Sequence, residues 1–267
     1  MTNQKKLKNS HRSISIVMPS YNTEAYIGRS IESVVNQDYP NFELFIKDGG
    51  SSDRTVKVIK SYVKRYPKII SWVSSKDEGQ TEAINYGIKQ TKGEIVAYLN
   101  SDDVYKPGAL KKVAEAFRKN NVKWLVGRSD IINKNDKVIR PLITTYKNFW
   151  LNLYSYKTLL VINYIPQMSV FWRREVMKEV GYFDPKQFYV MDYEYWLRLG
   201  KNYNPLILKD YLSSFRVINT SKSTTGFIKQ FSDEYKAAQK HTKNKFLLNL
   251  HAIHIRMITC IYNLINL

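Results

Sequence analysis

The sequence has a single cysteine, Cys260, and it lacks long apolar runs. One cysteine excludes an intramolecular disulfide and a zinc site built from several cysteines, and it is typical of a protein in a reducing compartment. No stretch of about 18 uninterrupted apolar residues is present, so no transmembrane helix is predicted. Residues 1–12 are polar and basic, without the apolar core of a secretory signal. We therefore expect a cytoplasmic protein, unless a surface contact holds it at the inner face of the cell membrane.

Acidic residues are scarce, with 23 Asp and Glu against 42 Lys and Arg, which gives a formal net charge of +19. Such a charge attracts phosphate groups in nucleic acid, anionic lipid or a phosphorylated small molecule. The 20 tyrosines could stack on bases. The basic residues are scattered, however, and no RNA-binding aromatic motif or basic recognition helix is found. We therefore expect no nucleic-acid partner.

Two glycine-rich phosphate-binding motifs are also missing. Neither G-x-G-x-x-G nor G-x-x-x-x-G-K-[ST] follows a predicted strand, which argues against dinucleotide-binding and P-loop proteins. A chain of 267 residues with 43% hydrophobic content is nevertheless large enough to bury a substantial core.

The first half of the sequence alternates between strand-like and helix-like patterns of apolar residues. Apolar, β-branched runs typical of buried strands begin 25 to 28 residues apart, at residues 14–18, 42–46, 69–73, 94–99 and 122–126. The segments between them have helical spacing. This alternation predicts an α/β fold with a mostly parallel sheet flanked by helices. Ligands bind such sheets at the carboxyl ends of the strands, so the residues just after each strand are the candidates.

The second half has a different pattern. Its pattern predicts a hairpin turning at residues 135–136 and a strand at 168–172. Helical segments are predicted at residues 174–180, 190–199 and from 227 onward. We predict a basic tail over residues 1–12, a main α/β domain over 13–225 and a C-terminal helical tail over 226–267. The change of pattern divides the main domain into two halves, 13–128 and 129–225.

The first two strands are followed by Tyr21 and Asp48. Tyr21 offers a flat ring on which a base can stack, and Asp48 offers an acceptor for a base N–H. The alternative is a turn tyrosine and an aspartate that shapes the glycine turn after it. These two residues alone leave both interpretations open.

The fourth strand leads directly into Asn100-Ser101-Asp102-Asp103. Adjacent carboxylates at a strand end suit a hard divalent cation, Mg²⁺ or Mn²⁺, whose coordination shell a diphosphate would complete. One aspartate could instead cap the helix that follows, and this would leave the second unexplained.

A further candidate is Asp192, in a helical segment flanked by aromatic residues. A carboxylate among apolar neighbours tends to have a raised pKa, as a general base working near neutrality requires. Glu194 lies two residues on and cannot share its helix face. The alternative is that Asp192 pairs with Arg198 or caps the helix.

Taken together, these segments resemble the inverting family 2 glycosyltransferases with a GT-A fold, which include many bacterial capsule, O-antigen and exopolysaccharide transferases. The resemblance covers roughly residues 13–220. It rests on residues 14–22, 31–34 with Gln37, 47–55, 93–107, 181–184 and 192–199. The Q-x-x-R-W signature and transmembrane helices of processive polysaccharide synthases are missing from the sequence.

The resemblance implies a role for each candidate. Nucleoside contacts are implied for Pro19, Tyr21, Glu24 and Asp48, with Asp77 and Gln80 nearby. Asp102 would hold the metal beside Ser101, Asn100 would face the ribose or phosphate, and Asp192 would be the catalytic base. Arg216 is a candidate diphosphate contact.

Three positions depart from the family pattern. Asn100 replaces the first carboxylate of the D-x-D motif, Met191 stands where a glutamate often precedes the base, and Ile218 occupies the place of a histidine. The departures at Asn100 and Ile218 keep open a catalytically inactive partner subunit as an alternative.

The resemblance also implies that 13–225 is a glycosyltransferase domain, with a nucleotide-sugar half, 13–128, and an acceptor half, 129–225. The implied donor is a nucleotide sugar, with UDP favoured by family habit, and the implied acceptor is a glycan or a lipid-linked molecule. The C-terminal tail mixes apolar residues with Lys240, Lys243 and Lys245. Such a helix more often packs on its own domain or a partner. We add the hypothesis that this one makes a peripheral contact with an anionic membrane.

Overall fold

The computed structural model describes residues 12–218 and 226–265. The predicted basic tail therefore lies outside the described residues, except for Arg12. The described strands form one nine-stranded sheet, in the order β3-β2-β1-β4-β8-β6-β9-β5, with β7 paired to β6.

The first half of the sheet is parallel, as predicted. Its strands are β1 (Ile14–Ser20), β2 (Phe42–Asp48), β3 (Ile70–Ser74) and β4 (Ile95–Tyr98). The connecting helices are α1 (Ile27–Val35), α2 (Thr55–Arg65) and α3 (Gln80–Gln90). Strands β1 and β2 are aligned from Ile14 opposite Phe42 to Ser20 opposite Asp48, and β2 ends with Asp48 opposite Ser74. This register brings the loops after the strands to one edge of the sheet.

The second half of the sheet is mixed. It contains β5 (Val104–Tyr105), β6 (Trp124–Ile132), β7 (Val138–Ile139), β8 (Val170–Arg173) and β9 (Leu206–Arg216), with α4 (Ala109–Ala116) between β5 and β6. Strands β6 and β7 form the predicted hairpin. Strand β8 is antiparallel to β4 and β6, whereas β9 runs parallel to β6. Strand β9 was not predicted, because polar residues at 209–210 interrupt its apolar pattern.

The remaining helices pack around this mixed half. They are α5 (Pro141–Asn152), α6 (Tyr156–Leu159), α7 (Met177–Val180), α8 (Met191–Asn202), α9 (Phe227–His241) and α10 (Lys245–Ile265). The helical region predicted from residue 227 onward is divided before α10, where Asn244 Oδ1 accepts a hydrogen bond from the backbone of Phe246. No helix in the described part of the chain is long and apolar enough to cross a membrane.

An aromatic cluster fixes α8 against the sheet. The ring of Trp196 stacks on Trp124 of β6 with centroids 6.0 Å apart, and Phe183 stacks on Tyr195 at 4.2 Å. Trp172 of β8 packs edge-on against Trp196. Large buried rings contribute strongly to core stability. They therefore hold the first turn of α8, which carries Asp192, in a fixed position.

Candidate active site

A cavity of about 960 Å³ opens at the carboxyl edge of the parallel strands. Its walls come from the loops after β1 to β4 and from β6, α5, α8 and α9. Most of the predicted site residues line it, namely Pro19, Tyr21, Asp77, Gln80, Asn100, Ser101, Asp102 and Asp192. The cavity therefore brings together residues from both halves of the sequence.

Tyr21 is the candidate for base stacking. Its side chain is 63% exposed, and it lines the cavity next to Pro19. A large ring left this open in an otherwise well packed protein is available to a ligand.

Asp48 does not line the cavity and is fully buried. Its Oδ2 accepts hydrogen bonds from the backbone N–H groups of Gly50 and Ser51 and from the hydroxyl of Ser74. Its Oδ1 accepts from the Ser51 hydroxyl at 2.5 Å. These contacts make Asp48 the organiser of the turn after β2, the alternative that the sequence left open. A direct contact to the nucleoside stays a prediction.

Glu24 also does not line the cavity. It is exposed, and its Oε2 accepts a hydrogen bond of 2.6 Å from the backbone N–H of Arg54. The backbone N–H of Glu24 in turn donates to Asp53. Glu24 thus joins the loop after β1 to the start of α2, and its nucleoside contact remains a prediction.

The loop after β3 is held by a buried ion pair. Lys47 Nζ lies 3.0 Å from Asp77 Oδ2, and Asp77 Oδ1 accepts from the backbone of Gly79. Gly79 has a φ of 119°, a conformation that favours glycine. At Gly49 an added Cβ would come within 3.1 Å of the Asp77 carboxylate. The two loops therefore pack tightly and place Asp77 in the cavity wall.

Asn100 is held from both sides. Its Oδ1 accepts a 2.6 Å hydrogen bond from Gln80, while its Nδ2 donates to Asp103 at 3.2 Å and to Gln167 at 3.3 Å. Gln167 is itself fixed by a bond to the backbone of Tyr98. The amide that replaces the first carboxylate of the motif thus orients the loop through neutral hydrogen bonds.

Two neighbouring carboxylates, Asp102 and Asp103, differ in their surroundings. Asp102 lines the cavity, whereas Asp103 is fully buried and accepts hydrogen bonds from the backbone N–H of Arg216 and from Asn100. Burial raises the pKa of Asp102, partly offset by Arg216. Burial, together with the charge of Asp102, raises the pKa of Asp103 well above its ordinary value. A cation bound at Asp102 would relieve this accumulation of buried negative charge.

Arg216 is fully buried and does not line the cavity. Its Nε donates a hydrogen bond to the backbone carbonyl of Asp102. Its Nη1 donates to the backbone carbonyl of Asn133 and lies 2.6 Å from a carboxylate oxygen of Asp136. Its Nη2 has no hydrogen-bond partner among the described residues. The structure therefore gives Arg216 a role in holding the Asp102 loop, and its contact with a diphosphate stays a prediction.

The metal prediction fits the chemistry of the loop. Among residues 12–218 and 226–265, no three carboxylate, imidazole or thiol side chains converge as a complete metal site. Mg²⁺ is commonly bound through one or two carboxylates plus substrate phosphates, with water filling the other positions. Asp102 faces the cavity, and burial disfavours its charged form. Because a bound cation would stabilise that charged form, Asp102 suits this partial coordination.

Asp192 lies in the first turn of α8 and lines the cavity. Its Oδ1 accepts a hydrogen bond from the backbone N–H of the next residue, Tyr193, while the helix N-cap is Val190. Arg198 pairs with Glu194 at 2.8 Å and with the carbonyl of Tyr182, so pairing with Arg198 is not the role of Asp192. Glu194 is buried and points away from the cavity lining, as expected from its spacing. Asp192 therefore faces the same space as Asp102.

The cavity also contains charged groups that the sequence did not reveal. Arg140 and Lys147 of the α5 region line it, and Glu234 of α9 lies behind them, bonded to Asn163 and Gln230. Burial raises the pKa of Glu234 to about 7, with Asp192 adding to the rise. Burial lowers the pKa of Lys147, while Glu234 and Asp192 oppose the change. The spacing of residues 140, 143, 144 and 147 was the available signal for this helix face.

The two other departures from the family pattern make the wall more apolar. Ile218 lines the cavity, and Met191 does so while its sulfur accepts a hydrogen bond from Thr81. Neither position supplies a charge to the site.

The fold and the site define a class of protein. A sheet whose parallel half ends in a carboxylate-lined cavity, extended by a mixed half that supplies a facing carboxylate, is the architecture of GT-A glycosyltransferases. Residues 15–181 match the model of the family described as glycosyl transferase family 2. The chain belongs to this family.

Two relatives indicate how far the similarity extends. An uncharacterised glycosyltransferase of Nostoc is 33% identical over 174 residues, which span 64% of this chain and 54% of that protein. WfgD of Escherichia coli, a UDP-Glc:α-D-GlcNAc-diphosphoundecaprenol β-1,3-glucosyltransferase, is 34% identical over 142 residues, or 52% of this chain and 55% of that one. The chain thus matches about half the length of each.

Two solved structures share the fold. The mannosyltransferase PcManGT of Pyrobaculum calidifontis, in complex with GDP-Man and Mn²⁺, has a TM-score of 0.70 at 16% identity, covering 91% of this chain and 70% of that one. The structure of S. aureus TarS residues 1–349 in complex with UDP-GlcNAc has a TM-score of 0.64 at 19% identity, covering 90% of this chain and 70% of that one. At these identities the similarity concerns the fold alone.

Proposed function

We propose that this protein transfers a sugar from a nucleotide diphosphate donor, a UDP-sugar, to a glycan or lipid-linked acceptor in cell-surface polysaccharide biosynthesis. The observation that carries this proposal is that Asp102 and Asp192, from opposite halves of the chain, line one cavity. In this proposal the first holds the diphosphate end of a donor and the second meets an acceptor hydroxyl.

The reaction is a single displacement with inversion. The acceptor hydroxyl oxygen forms a bond to the anomeric carbon while the bond from that carbon to the diphosphate oxygen breaks. The hydroxyl proton passes to the carboxylate of Asp192, and the electron pair of the broken bond leaves with the nucleoside diphosphate. The transition state is oxocarbenium-like, as in glycoside hydrolysis. General-base assistance of this kind is worth about 10²–10⁴-fold in rate.

Charge on the leaving diphosphate is handled at the loop after β4. A divalent cation, Mg²⁺ or Mn²⁺, would neutralise charge that develops there when it is bound at Asp102. Asn100 orients this loop and, in this proposal, contacts the ribose or phosphate, with Ser101 beside it. Arg216 holds the loop from behind.

The choice of UDP rests on two kinds of support. The E. coli relative uses UDP-Glc by its name, and the S. aureus structure contains UDP-GlcNAc, whereas the archaeal structure contains GDP-Man and Mn²⁺. Tyr21 supplies a stacking surface for any base, so it does not itself select uracil.

A screen of sugar nucleotides tests the proposal. Thermal unfolding is measured with UDP-glucose, UDP-GlcNAc and GDP-mannose, each with and without Mn²⁺. A ligand at 100 times its dissociation constant stabilises a protein by about 2.7 kcal/mol, so a specific donor gives a clear metal-dependent rise in melting temperature. No stabilisation by any nucleotide sugar would contradict the proposal.

Turnover separates the enzyme from the inactive alternative. The stabilising donor is incubated with the purified protein, and the release of nucleoside diphosphate and the anomeric configuration of the product are measured. We expect release and inversion. Donor binding without transfer or hydrolysis would favour a catalytically inactive partner subunit, the alternative that Asn100 and Ile218 keep open.

A further inference from the structure

Helix α10 presents a narrow apolar stripe to solvent. The exposed side chains are spaced as on one helix face: Phe246, Leu250, Ile253, Met257 and Ile261. Phe246 is 69% exposed and Ile253 is 61% exposed. The helix is nevertheless firmly docked, because His251 on another face is buried and its Nδ1 donates a 2.7 Å hydrogen bond to the carbonyl of Leu160.

Helix α5 carries a second exposed apolar stripe. Leu142 is 84% exposed, Phe149 is 54% exposed and Leu153, just after the helix, is 55% exposed. Their spacing of seven and four residues places them on one side of the helix. Tyr146 shares this side and is half-buried.

The two helices meet at Tyr146. Its hydroxyl forms a 3.0 Å hydrogen bond with Nε2 of His254, and the two rings are nearly parallel. This contact joins α5 to α10. The exposed residues of the two stripes therefore belong to neighbouring helices, and we call them together the α5–α10 surface.

The charged residues of the two helices have one sign. The sequence contains no Asp or Glu from residue 137 to residue 174 and none from residue 235 to residue 267. These two segments contain both helices. Lys245 and Arg256 are exposed on α10, beside the apolar stripe.

The opposite side of α5 faces the candidate active site. Arg140, Ile143, Thr144 and Lys147 line the cavity at helical spacing, and the charge of Asp192 acts on Lys147. One helix thus separates the α5–α10 surface from the acceptor side of the site.

We propose that the α5–α10 surface rests on an anionic lipid bilayer. Exposed apolar side chains on a helix lying in the interface bind the headgroup boundary, and surrounding Lys and Arg attract anionic lipids. A second copy of this chain is a poorer occupant, because each copy carries a net charge of +19 and the surface has no acidic residue to complement it.

The role of the α5–α10 surface in acceptor binding rests on the proposed function. With α5 at the bilayer, its cavity face lies next to the lipid headgroups, and Arg140 and Lys147 are placed to meet phosphate there. The acceptor is then lipid-linked, with its sugar inside the cavity and its phosphate near α5.

Vesicle co-sedimentation of the full chain tests the surface without requiring activity. The protein is mixed with vesicles of phosphatidylcholine alone or of phosphatidylcholine with phosphatidylglycerol, at low and high salt. We expect binding to the anionic vesicles that weakens as salt increases. Ile253→Glu on α10 and Phe149→Glu on α5 should each reduce binding by about tenfold, since each places a charge where an apolar side chain enters the interface.

Tyr182→Glu is the matched control. Tyr182 is exposed beside Lys89 of α3 and belongs to neither helix, so a charge introduced there should leave vesicle binding unaltered. Circular dichroism confirms that every variant is folded. UDP binding is measured in parallel, so that failure of the proposed function is seen separately from failure of the surface.

Three results would overturn the proposal. The first is equal binding by wild type and both α5–α10 variants. The second is loss of binding only in Ile253→Glu, which would limit the contact to α10. The third is a dimer in light scattering that Ile253→Glu dissociates while vesicles bind neither protein, which would assign the surface to a second copy.

Discussion

Arg216 Nε donates a hydrogen bond of 2.7 Å to the backbone carbonyl oxygen of Asp102. This bond ties the end of β9 to the loop that carries the candidate metal ligand. Both residues were predicted to act on the diphosphate, but the structure gives them different positions: Asp102 lines the cavity, and Arg216 is buried behind it.

Replacement of Arg216 should therefore destabilise the protein. Arg216→Met removes bonds to two backbone carbonyls and the pair with Asp136, and we expect the free energy of unfolding to fall by about 3 kcal/mol. Urea denaturation measures it. Arg29 provides a control, because it pairs with the same Asp136 at the surface. Arg29→Met should cost about 1 kcal/mol or less, and equal losses in the two variants would contradict this account.

Asp102 and Asp103 should separate ligand binding from stability. Asp102→Asn is expected to reduce metal-dependent UDP affinity at least about tenfold, because it removes the carboxylate that faces the cavity. Asp103→Ala removes a buried acceptor of the Arg216 N–H and should lower stability by about 1–3 kcal/mol. Calorimetric titration of UDP with Mn²⁺, beside urea denaturation, distinguishes them. The reverse pattern would assign the metal to Asp103.

Tyr21 and Glu24 should differ in nucleotide binding. Tyr21→Ala removes the exposed ring that lines the cavity, and we expect about a tenfold loss of UDP affinity from lost stacking. Glu24→Ala changes a residue that lies outside the cavity lining, so a loss of less than about threefold is expected. Fluorescence or calorimetric titration measures both. A larger effect at Glu24 would favour the direct nucleoside contact that the family resemblance implies.

His254 should make stability depend on pH. Burial, with a smaller effect of His251, lowers the pKa of His254 to about 4 from an ordinary value of 6.5. The unfolded chain then binds more protons than the folded protein between these values, so stability falls as pH decreases from about 6.5 to about 4. The loss of stability between about pH 6.5 and about pH 4 should be smaller in His254→Gln. Melting temperatures of both proteins across this pH range measure it. Identical pH profiles would show that His254 does not titrate as described.

The parallel half of the fold was predictable because its strands are nearly continuous apolar runs. Residues 14–18 and 42–46 fall inside β1 and β2. Helix α5 was missed for a physical reason. Its segment is rich in β-branched and aromatic residues, which have low helix propensity, so tertiary packing and not local preference makes it helical.

The site was partly predictable for a similar reason. The carboxyl ends of parallel strands meet at one edge, which placed Tyr21, Asp77 and Asp102 correctly in a common cavity. The sequence does not fix which way a side chain turns at that edge. Asp48 turns inward to organise its own loop, and Lys147 enters the cavity from a helix that was not predicted.

The most direct test of the account is the Asp192→Asn variant, studied with the donor that stabilises the wild type. Asn keeps the size of the side chain but cannot accept the proton of the acceptor hydroxyl. We expect donor affinity within about threefold of wild type and a loss of transfer of about 10²–10⁴-fold. Transfer at the wild-type rate by the folded Asp192→Asn protein would contradict it.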